Sequence, residues 1–296
     1  KRGKKYVAKK RIVAFFTTLI TLILSWFGIN LGKVQTYRNV AYGTAARQVM
    51  DVYYPDKPEN IEGSVDAMLF IHGGAWSSGD KSVYASYCKK VAENGYVAAT
   101  MNYRMFQQNA TFVEMLEDIN LAITKLKEKA EADGIEIDKI ALMGASAGGH
   151  LSLLYAYTHY ETSPLPIAFV VGQVAPVDFL DPNFGETLGE HQLSLISYLT
   201  GVQIINENFS EHEDIIKAAS PYYHVTPDVP PTILCYGFKD TLVPYSNGVN
   251  LDAKLTEMGV EHTFLTYPNS GHGLENDKDV SERFLEVLME YAARFC

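Results

Sequence analysis

The feature that most limits what this chain can fold into is the pentapeptide Gly144-Ala145-Ser146-Ala147-Gly148, set between an apolar strand-like run (139–144) and a helical one (147–157). A serine there stands at the tip of a sharp strand-to-helix turn, in a strained backbone conformation. Neighbouring chain passes so close that the positions two before and two after tolerate almost no side chain, hence Gly144 and Gly148. A helix starting at Ala147 points its N-terminal amides and positive dipole end at Ser146. Ser146 is therefore the candidate nucleophile. With glycine at its usual abundance, a chain of this length holds such a motif by chance roughly one time in ten, so the strand–turn–helix setting carries the weight.

The rest of the chain keeps the same rhythm. Residues 37–42 and 47–54, separated by Gly43-Thr44, read as an antiparallel hairpin. Strands are expected at 66–71, 96–103, 139–144, 167–174, 232–236 and 261–267, and helices at 83–94, 111–132, 147–157, 244–258 and 280–295. The helix at 111–132 is the clearest, with Phe112, Met115, Leu116, Ile119, Ala122, Ile123 and Leu126 on one face. Strands alternating with helices imply an α/β fold: a mostly parallel central sheet of about eight strands with helices on both faces. Residues 180–219 break the rhythm; they are polar, suggest several short helices, and read as a small cap insertion in one domain spanning 32–296.

A nucleophilic serine needs amide donors, a base and an acid. His72-Gly73-Gly74-Ala75-Trp76 follows the strand 66–71, and a loop without bulky side chains lets backbone N–H groups approach an oxyanion. Gly74 and Ala75 are the candidate donors, with Ala147 as the third. His72 and Gly73 are read as structural, His72 bracing the loop. Asp240 follows the strand 232–236, and His272 lies between two glycines after the strand 261–267. Both sit at C-terminal strand ends, where open α/β sheets bind ligands. The order Ser146, Asp240, His272 suits this architecture. Asp178, after the strand 167–174, is the rival acid. Trp76 and Tyr103 are expected to narrow a substrate pocket and favour short acyl groups. The remaining histidines, His150 among them, form no metal-binding spacing, and Cys88 and Cys235 fall in apolar segments rather than at nucleophile positions.

Together HGGAW, GASAGGH, YGFKDTLVP and NSGHG resemble the α/β-hydrolase superfamily, and more narrowly its hormone-sensitive-lipase-like and acetyl-esterase branch, over nearly all of residues 37–296. The resemblance implies a catalytic triad of Ser146, Asp240 and His272 and an oxyanion hole at Gly74, Ala75 and Ala147. It implies hydrolysis of small, short-acyl esters through an acyl-enzyme, with neither metal nor cofactor. An amidase, formamidase or small-peptide hydrolase could use the same groups, and a catalytically silent binding module is the reading from another class. Two departures stand out. Ala75 replaces a third glycine, and the branch's N-terminal cap helices are missing or replaced by the hydrophobic segment.

Charge completes the picture. Seven of the 25 Lys and Arg residues lie in the first eleven positions, leaving 18 against 35 Asp and Glu, a balance of −17. An acidic body excludes a nucleic-acid binder, and three scattered cysteines exclude a disulfide scaffold. After the basic head (1–11), residues 12–31 hold no charge and are long enough to span a bilayer as a helix. A signal anchor with an extracytoplasmic body is the expectation; a cleaved signal peptide and a buried helix are the alternatives. Membrane contact is expected through this segment only, and the oligomeric state is left open.

Overall fold

Along Ser64–Ile71 (β3) the side chains alternate between two cores: Ala67, Leu69 and Ile71 enter one, Met68 and Phe70 the other. Glu136–Ala145 (β5) does the same, with Ile140 and Leu142 on one face and Ala141 and Met143 on the other. Runs buried on both faces belong at the centre of a parallel sheet covered by helices on each side. The computed structural model describes residues 34–296, so the basic head and the apolar segment 12–31 lie outside the described residues.

Eight strands form one sheet in the order β1-β2-β4-β3-β5-β6-β7-β8. The others are Gln35–Ala41 (β1), Val49–Tyr54 (β2), Val97–Met101 (β4), Ile167–Gln173 (β6), Thr232–Gly237 (β7) and His262–Tyr267 (β8). The first two make the expected hairpin, β2 pairs antiparallel with β4, and every later pairing is parallel. Chain order reverses between β3 and β5, whose ends meet with Ile71 opposite Gly144. That switch point is where an open sheet leaves a crevice.

Helices Phe112–Ala132 (α2), Ala147–His159 (α3) and Tyr245–Met258 (α6) cover one face; Ala85–Glu93 (α1) and Lys278–Phe295 (α7) cover the other. Helix α2 begins at a capping box, Thr111 accepting from Val113 N and Glu114 reaching back to Thr111 N at 2.8 Å. It buries Met115, Ile119, Ile123 and Leu126 completely, each worth ~1.5–3 kcal/mol relative to exposure.

The segment 180–219 departs from its expected form. In place of several short helices it opens with one of 19 residues, Pro182–Thr200 (α4), followed by a 3-10 turn and Glu213–Ala218 (α5). Gly185 and Gly189 weaken the helical signal in the sequence. Tertiary burial of Ile196 and Leu199, an Asp181 cap on Asn183 N, and Gly201 in the left-handed conformation override it. Among the described residues no helix is long and apolar enough to cross a membrane.

Candidate active site

Ser146 adopts φ 54°, ψ −125°, a region L-residues rarely enter and one that costs ~1–3 kcal/mol. Steric closure around it explains the glycines. A Cβ on Gly144 would lie 2.2 Å from the Gly148 carbonyl carbon, and one on Gly148 would lie 2.0 Å from the Ile71 oxygen. Ser146 N–H donates to the Gln173 carbonyl (2.8 Å), which pins the turn to β6. Helix α3 starts at the next residue, so Ala147 presents a first-turn N–H with no intrahelical partner.

The glycine loop after β3 meets that turn. Gly74, Ala75 and Trp76 all have positive φ (116°, 50° and 54°), so Ala75 holds a conformation that glycine would adopt freely. Among the described residues the N–H groups of Gly74 and Ala75 have no protein acceptor, while the Gly74 carbonyl takes those of Ser77 and Ser78. His72 is fully buried; its Nδ1 lies 2.7 Å from the Gly73 oxygen and its Nε2 3.0 Å from Arg47 Nη2. Burial, and next to it the Arg47 charge, hold the ring neutral, with its pKa down at about 4 despite the Gly73 bond.

Of the two expected pocket residues, Tyr103 requires correction. Tyr103 is fully buried, stacked on His72 at 4.5 Å with its hydroxyl donating to the His72 carbonyl. It braces the back of the loop and lines no substrate space. Trp76 is 5% exposed; its indole N–H donates to His150 Nδ1 (3.2 Å), and its ring meets Phe179 edge-on. His150, which forms no metal-binding spacing in the sequence, is wholly buried on α3, and its Nε2 donates to the Ala219 carbonyl (2.7 Å). Burial lowers its pKa to about 4. Its place in the first turn after GASAGG was the one available signal. Arg47 carried none, since it reads as an ordinary hairpin residue.

The acid and base candidates come together on the β7 and β8 loops. His272 Nδ1 lies 2.7 Å from Asp240 Oδ2, and Asp240 Oδ1 accepts from the N–H groups of Leu242 and Val243 (2.8 and 3.0 Å). The Asp240 carboxylate is closed off from solvent, whereas the His272 side chain is 25% exposed. Gly237 lets the loops touch: a Cβ there would sit 2.3 Å from the Gly271 oxygen. Asp277 holds the histidine loop by accepting from Asn269 N and Ser270 Oγ. The rival acid Asp178 points elsewhere, accepting from Leu180 N, with burial raising its pKa.

A largely apolar cleft of about 550 Å³ opens between α1 and α7, lined by Phe70, Tyr87, Phe284 and Leu288 and reaching Val174 and His272 at its upper end. Among the described residues no three His, Cys, Asp or Glu side chains gather as a metal set. A strained serine, free amides and a carboxylate-oriented imidazole at one end of a sheet are the parts that acyl transfer requires.

The chain is similar to several known proteins. The BD-FAE family model matches residues 50–255. Esterase LipC of Mycobacterium tuberculosis is 26% identical over 253 residues, covering 80% of this chain and 60% of that protein. Isoprenylcysteine alpha-carbonyl methylesterase ICME of Arabidopsis thaliana is 26% identical over 251 residues, covering 80% and 56%. The chain thus spans somewhat over half the length of these curated relatives. Among solved structures, a truncated form of a carbohydrate esterase from gut microbiota superposes with a TM-score of 0.71 at 23% identity, covering 88% of this chain and 97% of that one. The fold is that of the α/β-hydrolases.

Proposed function

The chain belongs to the BD-FAE family, and from that premise we propose that it is a serine hydrolase of small carboxylic esters. The observation that carries this reading is the Asp240–His272 pair at 2.7 Å, on the same sheet end as the strained Ser146. His272, held in one tautomer by Asp240, takes the Ser146 proton as the hydroxyl oxygen attacks the ester carbonyl. Negative charge develops on the carbonyl oxygen, and the Gly74, Ala75 and Ala147 amides receive it without reorganising. His272 then protonates the departing alcohol, and water repeats the sequence on the acyl-serine.

The acyl group in this reading is short and acetyl-like. Trp76, in the donor loop and packed edge-on against Phe179 and His150, supports this reading by setting a fixed ring beside the donor amides. The names of the curated relatives support ester chemistry over amide chemistry. Residues 12–31 would hold the domain outside the cytoplasmic membrane, a placement supported by the basic residues ahead of an uncharged run. A panel of chromogenic esters from acetate to palmitate, with matched amides, tests the reading. Turnover falling with chain length and absent in Ser146→Ala is expected; preference for long chains or for amides overturns the substrate class. Cell fractionation with and without residues 1–31 tests the location.

A further inference from the structure

We propose that Arg47 and His72 form a hydrogen-bond relay that polarises the Gly74 N–H, making Arg47 a positioning residue for the oxyanion hole. The inference rests on the ester-hydrolase reading above. It begins with the chemistry of arginine, which donates hydrogen bonds and never accepts them. Arg47 Nη2 lies 3.0 Å from His72 Nε2, so that nitrogen must present its lone pair. The single proton of the neutral ring is then on Nδ1, which lies 2.7 Å from the Gly73 oxygen and donates to it.

The Gly73 carbonyl and the Gly74 N–H belong to one peptide group. Drawing electron density onto that oxygen increases the double-bond character of the C–N bond and the positive charge at the N–H. The cation on Arg47 therefore reaches the oxyanion through one imidazole and one amide. The guanidinium is fixed by Nε donating to the Tyr103 carbonyl (2.8 Å) and Nη2 to the Gly79 carbonyl (3.2 Å). Among the described residues no carboxylate pairs with it, in contrast to Arg104, which meets Asp118 and Glu117. Its charge is left to act through the ring.

The surroundings protect the relay. His72 is fully buried, and Tyr103 stacks on it at 19° to fix the ring plane. Gly79 has φ 98°, and a Cβ there would lie 2.4 Å from the Gly73 oxygen and 2.5 Å from His72 Nδ1. Bare backbone at Gly79 therefore lies directly against the central hydrogen bond and keeps water from it, where low polarity strengthens the interaction.

The test compares the full chain with Arg47→Gln and Arg47→Lys on a chromogenic acetate ester. A trifluoromethyl ketone that becomes an oxyanion on addition of Ser146 is the second probe, and melting temperature is followed alongside. Removing one oxyanion donor outright costs ~100- to 1000-fold, so weakening one by cooperative loss should cost about 3- to 10-fold. Arg47→Gln is expected to lower kcat by that factor at unchanged KM and to weaken ketone binding equally, with Arg47→Lys recovering most of both. A fall in melting temperature with kcat and ketone affinity intact, or a rise in KM alone, would overturn the relay. If the unmodified chain neither turns over the ester nor binds the ketone, the hydrolase reading itself fails, and the relay with it.

Discussion

The two halves of the site are held in different ways. On the β3–β5 side, the serine turn and the donor loop are fixed by backbone sterics: Gly148 against Ile71, Gly79 against Gly73, and Ser146 and Ala75 in strained conformations. The histidines there are buried and neutral. On the β7–β8 side, His272 and Asp240 are held by side-chain hydrogen bonds on short loops, with the imidazole partly open to solvent. The difference matches the tasks proposed for them. Charge-receiving amides act best when they cannot move, while a base must shuttle a proton between serine and leaving group.

Four changes separate the halves. The largest effect should come from Asp240→Asn, which keeps the shape but releases the tautomer of His272. Loss of the orienting carboxylate is expected to cut kcat by ~10⁴-fold with the melting temperature nearly unchanged. Gly148→Ala acts on the other half and should do the reverse, damaging the fold itself. Its Cβ would lie 2.0 Å from a backbone oxygen that cannot step aside, so a loss of ~3 kcal/mol or more in denaturant unfolding is expected.

Acid separates the halves by protonation. His72 and His150 have folded pKa values of about 4, below the ordinary 6.5, so the unfolded chain binds protons that the folded chain refuses. Their combined effect is absent above about pH 6.5 and grows as pH falls toward 4, a loss on the order of a few kcal/mol by linkage. Unfolding midpoints measured from pH 7 to 4.5 should fall, and less steeply in His150→Gln. The smallest effect is Ala75→Gly, which relieves a positive φ and should stabilise by ~1 kcal/mol or less in the same assay.

The contrast also explains what could be read from the sequence. The serine turn is local: five residues and their neighbours dictate it, and the strands and helices around it follow hydrophobic period. Asp240 and His272 could be placed by strand ends and chain order, and the structure brings them together while turning Asp178 away. The bracing network could not be read. Arg47 and His72 are 25 residues apart, Trp76 and His150 are 74 apart, and only the sheet's strand order unites them. For the same reason Tyr103 looked like a pocket residue although it stacks behind the loop. Helix α4 is continuous although Gly185 and Gly189 weaken its helical signal in the sequence, because Ile196 and Leu199 are held by the core beneath it.

The central claim is that Ser146 carries the acyl group. Rapid-quench intact-mass and peptide mapping with a slow aryl acetate, or with a fluorophosphonate, measures this directly. One acyl or phosphonyl adduct per chain on the peptide holding Ser146 is the expected result, with adduct formation slowed by orders of magnitude in His272→Ala. Ester turnover that continues in Ser146→Ala, or an adduct on another residue, would contradict the account.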